Sequence, residues 1–208
     1  MSYATPTKNM RVIAGTYRSR ILKSLKGLAL RPTSDRLRET LFNVLAAGII
    51  DSRFIDVFAG TGAVGIEAIS RGAAEVVFIE NHAPAAALIR KNLASLDVRS
   101  GAQVICADAM RALESLQTRI PGAGYHYVFI DPPYAAESDY SRVLQFLAGS
   151  DIVADGGIVI VEHRYNYKLP EEIKSLRRVR VLRQGDAGLS FFRSIRAAKN
   201  ELISAGNP

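Results

Sequence analysis

The sequence has one cysteine, Cys106, no tryptophan, and three residues each of histidine and methionine in 208. A single cysteine excludes an intramolecular disulfide, and no Cys/His cluster has the spacing of a zinc site, so no metal is expected. That usage fits a reducing compartment. No stretch approaches the about 18 consecutive apolar residues of a membrane span, and Met1 to Met10 lacks an apolar signal core, so a cytoplasmic protein without a membrane partner is expected. Internal repeats are absent. Acidic side chains are the scarcer charge: 27 Lys and Arg stand against 20 Asp and Glu, a net charge of +7 with a pI near 9.7. That imbalance indicates an anionic partner such as nucleic acid. A hydrophobic content of 48% is ample for the core of one α/β domain with a small appendage.

The shortage of acid is most pronounced at the start. Lys8, Arg11, Arg18, Arg20, Lys23, Lys26 and Arg31 all precede the first carboxylate, Asp35. Residues 1–9 are expected to be disordered, and residues 10–48 to form a basic extension of hairpin plus helix. Two short β-like runs flank Gly15, which suggests the hairpin. Pro32-Thr33-Ser34-Asp35 offers N-cap candidates for a helix with Leu37, Leu41, Val44 and Leu45 on one face. Arg11, Arg18, Arg20, Lys23, Arg31, Arg36 and Arg38 are the candidate RNA-binding residues, against the plainer reading of a solvated charged edge. The main sheet is expected to fold without residues 1–30.

Residues 49–196 carry the pattern of a nucleotide-binding sheet, and residues 197–208 are expected to fray. Phe54 to Phe58 reads as a strand, Ala59-Gly60-Thr61-Gly62-Ala63-Val64-Gly65 as a glycine turn, and Ile66 to Ile69 as the helix that the turn opens. A glycine triplet alone is weak; placed between strand and helix it is informative. The next strand, Glu75 to Ile79, ends in Glu80, 20 residues beyond Gly60, where an acid can accept both hydroxyls of a ribose. A helix from Asn81 and a third strand, Gln103 to Ala107, lead to Asp108, which suits either an adenine amine or a helix N-cap. Cys106 is expected to be a small core residue.

The fourth strand, Tyr125 to Ile130, is cut off by Asp131-Pro132-Pro133-Tyr134. Two consecutive prolines cannot continue it, so the residues after the strand form a rigid lip. Ligands of open α/β sheets bind outside the carboxyl ends of the strands, which places this lip for chemistry. The Asp131 carboxylate and the Pro132 carbonyl are acceptors that could hold the two hydrogens of an exocyclic base amine, and Tyr134 could stack on the base. The plainer reading is a turn with a rim aromatic. Beyond it, Ser138 to Leu147 reads as a helix and Gly157 to Val161 as a buried strand before Glu162-His163. A lone His at a strand end is more often structural. Val179 to Leu182 and Leu189 to Phe192 read as an antiparallel hairpin closing the sheet.

The glycine loop followed by Asp-Pro-Pro-Tyr resembles the amino-methyltransferases that modify exocyclic base amines. Met10-Arg-Val-Ile-Ala-Gly15, Arg31-Pro-Thr-Ser-Asp-Arg-Leu-Arg-Glu-Thr-Leu-Phe42 and Asp56-Val-Phe-Ala-Gly-Thr-Gly62 resemble the bacterial 16S ribosomal RNA guanine-N2 methyltransferases of the RsmD type, from Met10 to about Arg193. The resemblance implies an α/β, Rossmann-like fold of the S-adenosylmethionine-dependent class I methyltransferases, with a seven-stranded sheet in the order 3-2-1-4-5-7-6 and a basic N-terminal extension. It implies S-adenosyl-L-methionine as cofactor and methylation of one guanine of 16S RNA during small-subunit assembly, by a monomer. Asp131, Pro132, Pro133 and Tyr134 would form the catalytic motif. Asp56, Phe58, Ala59, Gly60, Thr61, Gly62 and Gly65 would cradle the methionine part, Glu80 with Asn81 the ribose, and Asp108 with Ala109 the adenine.

Three rivals remain. Adenine-N6 methyltransferases acting on DNA share the motif but usually carry a target-recognition insertion, and only 22 residues separate Asp108 from Asp131. A nicotinamide-dependent dehydrogenase would explain the glycine loop and Glu80 but not the Asp-Pro-Pro-Tyr lip. A catalytically silent RNA-binding assembly factor would leave the intact lip unused.

Overall fold

A computed structural model of the protein describes residues 10–24, 33–120, 124–133 and 137–195. The expectations of a disordered start, a fraying tail and roles for Arg31 and Tyr134 therefore lie outside the described residues. Helix α1 (Asp35–Leu45) starts where the sequence supplies a cap: the Ser34 hydroxyl accepts the Leu37 amide at 3.2 Å. Its buried face, Leu37, Leu41, Phe42 and Leu45, lies against the sheet side that also receives α2 (Ala63–Ser70) and α3 (Ala83–Ser95). Helices α4 (Ala109–Gln117) and α5 (Glu137–Gly149) cover the opposite side.

Between these layers runs one sheet of β1 (Arg53–Val57), β2 (Glu75–Glu80), β3 (Ala102–Cys106), β4 (Tyr125–Ile130), β5 (Val153–Arg164), β6 (Glu172–Ile173), β7 (Leu176–Gln184) and β8 (Ala187–Ser194). Side chains alternate between the faces. Phe54, Val76, Phe78 and Phe129 join the α1–α3 layer, while Ile55, Val57, Val77, Ile79, Val128 and Ile130 join the α4–α5 layer. The central strands are apolar on both faces because helices cover both.

The strand order is β3-β2-β1-β4-β5-β8-β7-β6. The first five are parallel and the β5–β8–β7 turn-back is antiparallel. Eight strands replace the expected seven; the additional one, β6, is two residues long and pairs only Glu172 with Arg177 and Ile173 with Leu176 at the edge. Without it the order is the expected 3-2-1-4-5-7-6.

Two further corrections concern the periphery. The hairpin around Gly15 is reduced to a single bridge between Arg11 and Ile21, flanked by the Val12 amide on Arg20 O and the Leu22 amide on Met10 O. Cys106 is exposed, because β3 is the edge strand and only partly covered. Nor is the basic segment separable from the sheet. Met10, Val12 and Leu22 are buried in the same cluster as Phe54 and Phe78. The buried Glu67 carboxylate of α2 accepts the amides of Ile13 (2.8 Å) and Ala14 (3.0 Å), and Asn92 of α3 bonds both the amide and the carbonyl of Lys23. Gly15 adopts φ +81°, and a Cβ there would stand 1.8 Å from the Ser70 carbonyl oxygen. Removing residues 1–30 would take these amides from Glu67, leaving it Arg71, and the Lys23 bonds from Asn92, and would uncover the core beneath Met10, Val12 and Leu22, which weighs against the expectation that the sheet folds without them.

Candidate active site

The carboxyl ends of β1, β2, β4 and β5, together with the turn after β3, enclose a cavity of about 430 Å³. That lies within the range of small-molecule sites, roughly 300–1,000 Å³. It brings together Asp56, Phe58, Ala59, Gly60, Thr61, Glu80, Asn81, Asp108, Ala109, Asp131, Pro132 and Pro133, twelve of the residues singled out from the sequence. Gly62 and Gly65 do not line it; they shape the loop that does. Gly62 ends the turn at φ +78° as the N-cap of α2. A Cβ on Gly65 would meet the Phe78 ring at 2.3 Å, so glycine lets α2 seat on β2. Gly60, at φ +54°, has nothing within 4 Å of where its Cβ would be, which leaves the backbone open to a ligand. The chain leaves β1 through Phe58, a non-glycine residue at φ +65°.

Two carboxylates hold this loop from below. Asp56, fully buried on β1, accepts the Gly65 amide at 2.9 Å. Burial pushes its pKa up to about 7, against the Gly65 bond and with a smaller upward push from Glu80. Glu80 accepts the Gly60 amide at 2.7 Å on one oxygen and the His82 amide at 2.8 Å on the other. A carboxylate offers about four lone-pair sites, so two remain for hydroxyls in the cavity. Asp108 is exposed and caps α4 through the amides of Met110 (3.0 Å) and Arg111 (3.4 Å), while still lining the cavity. Its two readings are compatible.

At the other end of the cavity stands the lip. Ile130 pairs with both Val57 and Val161, so Asp131 leaves β4 between β1 and β5. Pro132 is buried and Pro133 exposed. Burial pushes the Asp131 carboxyl well above the usual carboxylate range; Glu162 and Asp56 add to the shift, and a hydrogen bond with Thr33 opposes it. The Thr33 hydroxyl donates its hydrogen to Glu162 Oε2 at 2.8 Å. Among the described residues no group of three or more His, Cys, Asp and Glu is placed to hold a metal ion, and no helix is long and apolar enough to cross a membrane.

Comparison with known proteins places this geometry. The family model described as conserved hypothetical protein 95 matches residues 10–193. Ribosomal RNA small subunit methyltransferase D of Escherichia coli K12 is 37% identical over 161 residues, 77% of this chain and 78% of the relative. The chain belongs to this family, the RsmD-type methyltransferases. YlbH of Bacillus subtilis is 33% identical over 184 residues, 88% of this chain and 98% of that protein. The solved structure of the Escherichia coli protein yhhF is 34% identical, with a TM-score of 0.77 over 90% of this chain and 98% of that one. The fold is therefore that of the S-adenosylmethionine-dependent methyltransferases.

The basic residues divide. Arg11, Arg18 and Arg36 are exposed and line a second depression beside α1, together with Arg71, Asp35 and Glu39. Arg20 is exposed and bonds the Ser95 carbonyl at 3.0 Å, and Lys23 is exposed. Arg38 is not available to RNA: its side chain is fully buried, donates to the Arg11 carbonyl and to Asp35, and lies 3.9 Å from Glu67. The pattern of the sequence could have shown this, since position 38 lies one residue after Leu37 and three before Leu41, beside the apolar stripe.

Thr33, His82, Asp139 and Glu162 line the cavity without having been singled out as site residues. Glu162 carried a signal: like Glu80, Asp108 and Asp131 it is an acid directly after a buried strand run. The adjacent His163 is structural, its ring nitrogens 2.7 Å from the Arg164 carbonyl and 2.8 Å from the Ser190 hydroxyl.

Proposed function

We propose that the protein transfers the methyl group of S-adenosylmethionine to the exocyclic N2 amine of one guanine in 16S ribosomal RNA, acting as a monomer on a small-subunit assembly particle in the cytoplasm. Family membership supplies the reaction class, and the observation that carries the reading is one cavity lined at one end by the glycine loop and Glu80 and at the other by Asp131-Pro132-Pro133. The cofactor fits: Gly60 leaves its backbone open, and Glu80 keeps two lone-pair sites for ribose hydroxyls. Residues Asp56 to Gly65 would hold its methionine part and Asp108 with Ala109 its adenine. When bound it supplies an electrophilic methyl on a sulfonium.

The chain's own part is orientation and electrostatics. The guanine N2 lone pair is spread into the ring and is a poor nucleophile. Asp131 and the Pro132 carbonyl, accepting the two amine hydrogens, favour a pyramidal nitrogen with its lone pair directed at the methyl carbon. Tyr134, next in the sequence after Pro133, would stack on the base. Residues 10–48 form the RNA-facing extension, with Arg11, Arg18, Arg20, Lys23, Arg31 and Arg36 on phosphates, and residues 49–196 the methyltransferase domain.

The test is to incubate small-subunit particles from cells lacking this gene with the protein and labelled S-adenosylmethionine, then digest the RNA for mass spectrometry. One N2-methylguanosine per 16S RNA is expected. Label appearing only as N6-methyladenosine, or no incorporation into RNA, would refute the reading.

A further inference from the structure

Strand β7 carries Arg177, Arg178, Arg180 and Arg183 and no acid. The segment before it pairs as far as Arg178, and beyond that residue the strand is an outer edge among the described residues. Charge on an edge discourages pairing with other chains, but either sign serves and either face will do. The register is more selective. Arg177 stands directly opposite Arg193 of β8, and Arg180 opposite Phe191. Phe191 belongs to the α1 side of the sheet, so Arg177, Arg180 and Arg193 all point to that side, and all three are exposed. Arg180 reaches this face through a bulge: the register shifts between Arg178 and Arg180, leaving Val179 as the extra residue, 49% exposed. In a regular ladder Arg180 would oppose Ser190 and point to the other side. Like charges directly opposite each other, as at Arg177 and Arg193, destabilise a sheet, and Glu172 offsets this at Arg177 with a bond of 2.7 Å.

This row of arginines continues the basic surface beside α1. At its upper end Gln184 opposes Ala187, and the Gln184 amide accepts from Arg36 Nε at 2.6 Å and donates to the Thr40 hydroxyl at 2.8 Å. Ala187 and Leu189 are level with Arg164 and with Glu162, which lines the cavity, whereas Arg193 is level with Ile158. At about 3.4 Å per residue, the row Arg36, Arg180, Arg193 and Arg177 therefore runs roughly 20 Å from the level of the cavity toward the amino ends of the parallel strands. We propose that this face of β7 and β8 is a second RNA-binding surface, which holds phosphates of the strand flanking the target guanine. The inference rests on the ribosomal-RNA reading of the site. Charge selects the occupant: Arg180 and Arg193 are diagonal neighbours, about 7–8 Å apart, and guanidinium groups in a row match the repeated anions of a nucleic-acid backbone, each with paired N–H donors. The acids bordering the row, Glu172 and Asp186, lie at its two ends.

The test measures binding of free 16S RNA, and of small-subunit particles from cells lacking the gene, over a series of salt concentrations. Four proteins are compared: the wild type, Arg180→Gln with Arg193→Gln, Arg180→Lys with Arg193→Lys, and a control of equal charge change, Arg99→Gln with Arg119→Gln. Arg99 and Arg119 are exposed, one before the opposite edge strand β3 and the other after α4 on the opposite side of the sheet. Each phosphate contact contributes about 0.7–0.9 to the slope of log affinity against log salt, so the glutamine pair should flatten it by about 1.4–1.8 units on both forms of RNA. The lysine pair and the control pair should keep the wild-type slope, and all four proteins should share one S-adenosylmethionine affinity and one urea midpoint. An unchanged slope in the glutamine pair, or an equal flattening in the control pair, would overturn the proposal and leave these arginines as edge protection. Weaker binding to particles with binding to free RNA unchanged would also overturn it, because the face would then meet a protein of the particle. If the wild type methylates no guanine, the functional reading fails by itself, and the slopes still decide whether this face binds RNA.

Discussion

Glu80 Oε2 accepts the Gly60 amide at 2.7 Å, tying the end of β2 to the glycine loop that leaves β1. A carboxylate in that position does two jobs: it fixes the loop and presents its remaining lone pairs to the cavity. Glu80→Ala should therefore weaken S-adenosylmethionine binding by about 1–3 kcal/mol. Calorimetry checks this, and unchanged affinity would remove Glu80 from the cofactor site.

Glu67 anchors the basic segment from beneath. Its buried carboxylate holds the amides of Ile13 and Ala14 and the Arg71 guanidinium at 2.8 Å, and Arg38 lies beside it. Glu67→Ala leaves the Ile13 and Ala14 amides without their acceptor and buried Arg38 with Asp35 alone as counter-charge, and should cost about 3–5 kcal/mol of stability. Urea denaturation measures it; a loss under 1 kcal/mol would show that the segment is held by apolar contacts alone.

Asp56 gives stability an unusual pH dependence. Its folded pKa, raised by burial to about 7, exceeds the ordinary 3.8, so between these values the folded state binds the proton and the unfolded state does not. Stability should therefore fall as pH rises from about 4 to 7, by up to about 4 kcal/mol from this group, and Asp131 acts in the same direction. Asp56→Asn keeps an acceptor for the Gly65 amide and should flatten the decline. Denaturation at pH 5 and pH 7.5 compares the two proteins; equal differences would place the Asp56 pKa near its ordinary value.

Much of this was legible in the sequence, for physical reasons that also explain the exceptions. The central strands are apolar runs ended by glycine, proline or an acid, so Tyr125–Ile130 appears at the bounds its composition implies. Asp131-Pro132-Pro133 could be assigned to a cavity because proline stops a strand wherever it occurs. Contacts that depend on distant partners were hidden. The place of Arg38 beside the apolar stripe hints at burial, but its partner Glu67, 29 residues on, is not announced by any local pattern. Thr33 meets Glu162 across 129 residues, and no local pattern announces that bond. Cys106 has the composition of a core position, but its strand forms the edge of the sheet.

The cationic surface follows from the same division. Arg11, Arg18, Arg20 and Lys23 are all exposed, and each contact to single-stranded RNA contributes about −0.7 to the slope of log affinity against log salt. Neutralising the four together should flatten that slope by about 1.5–3 units, with cofactor affinity intact. A slope unchanged within error would shift RNA recognition to Arg36 and the rim of the lip.

The claim on which the rest depends is that Asp131, in the lining of the cavity, acts on the base amine and not on the cofactor. Single-turnover methyl transfer by Asp131→Ala, measured beside its S-adenosylmethionine affinity, tests this most directly. The account predicts that transfer falls below detection while cofactor affinity stays within a few-fold of wild type. Transfer at the wild-type rate, or a loss of S-adenosylmethionine affinity that itself accounts for the lost transfer, would contradict it.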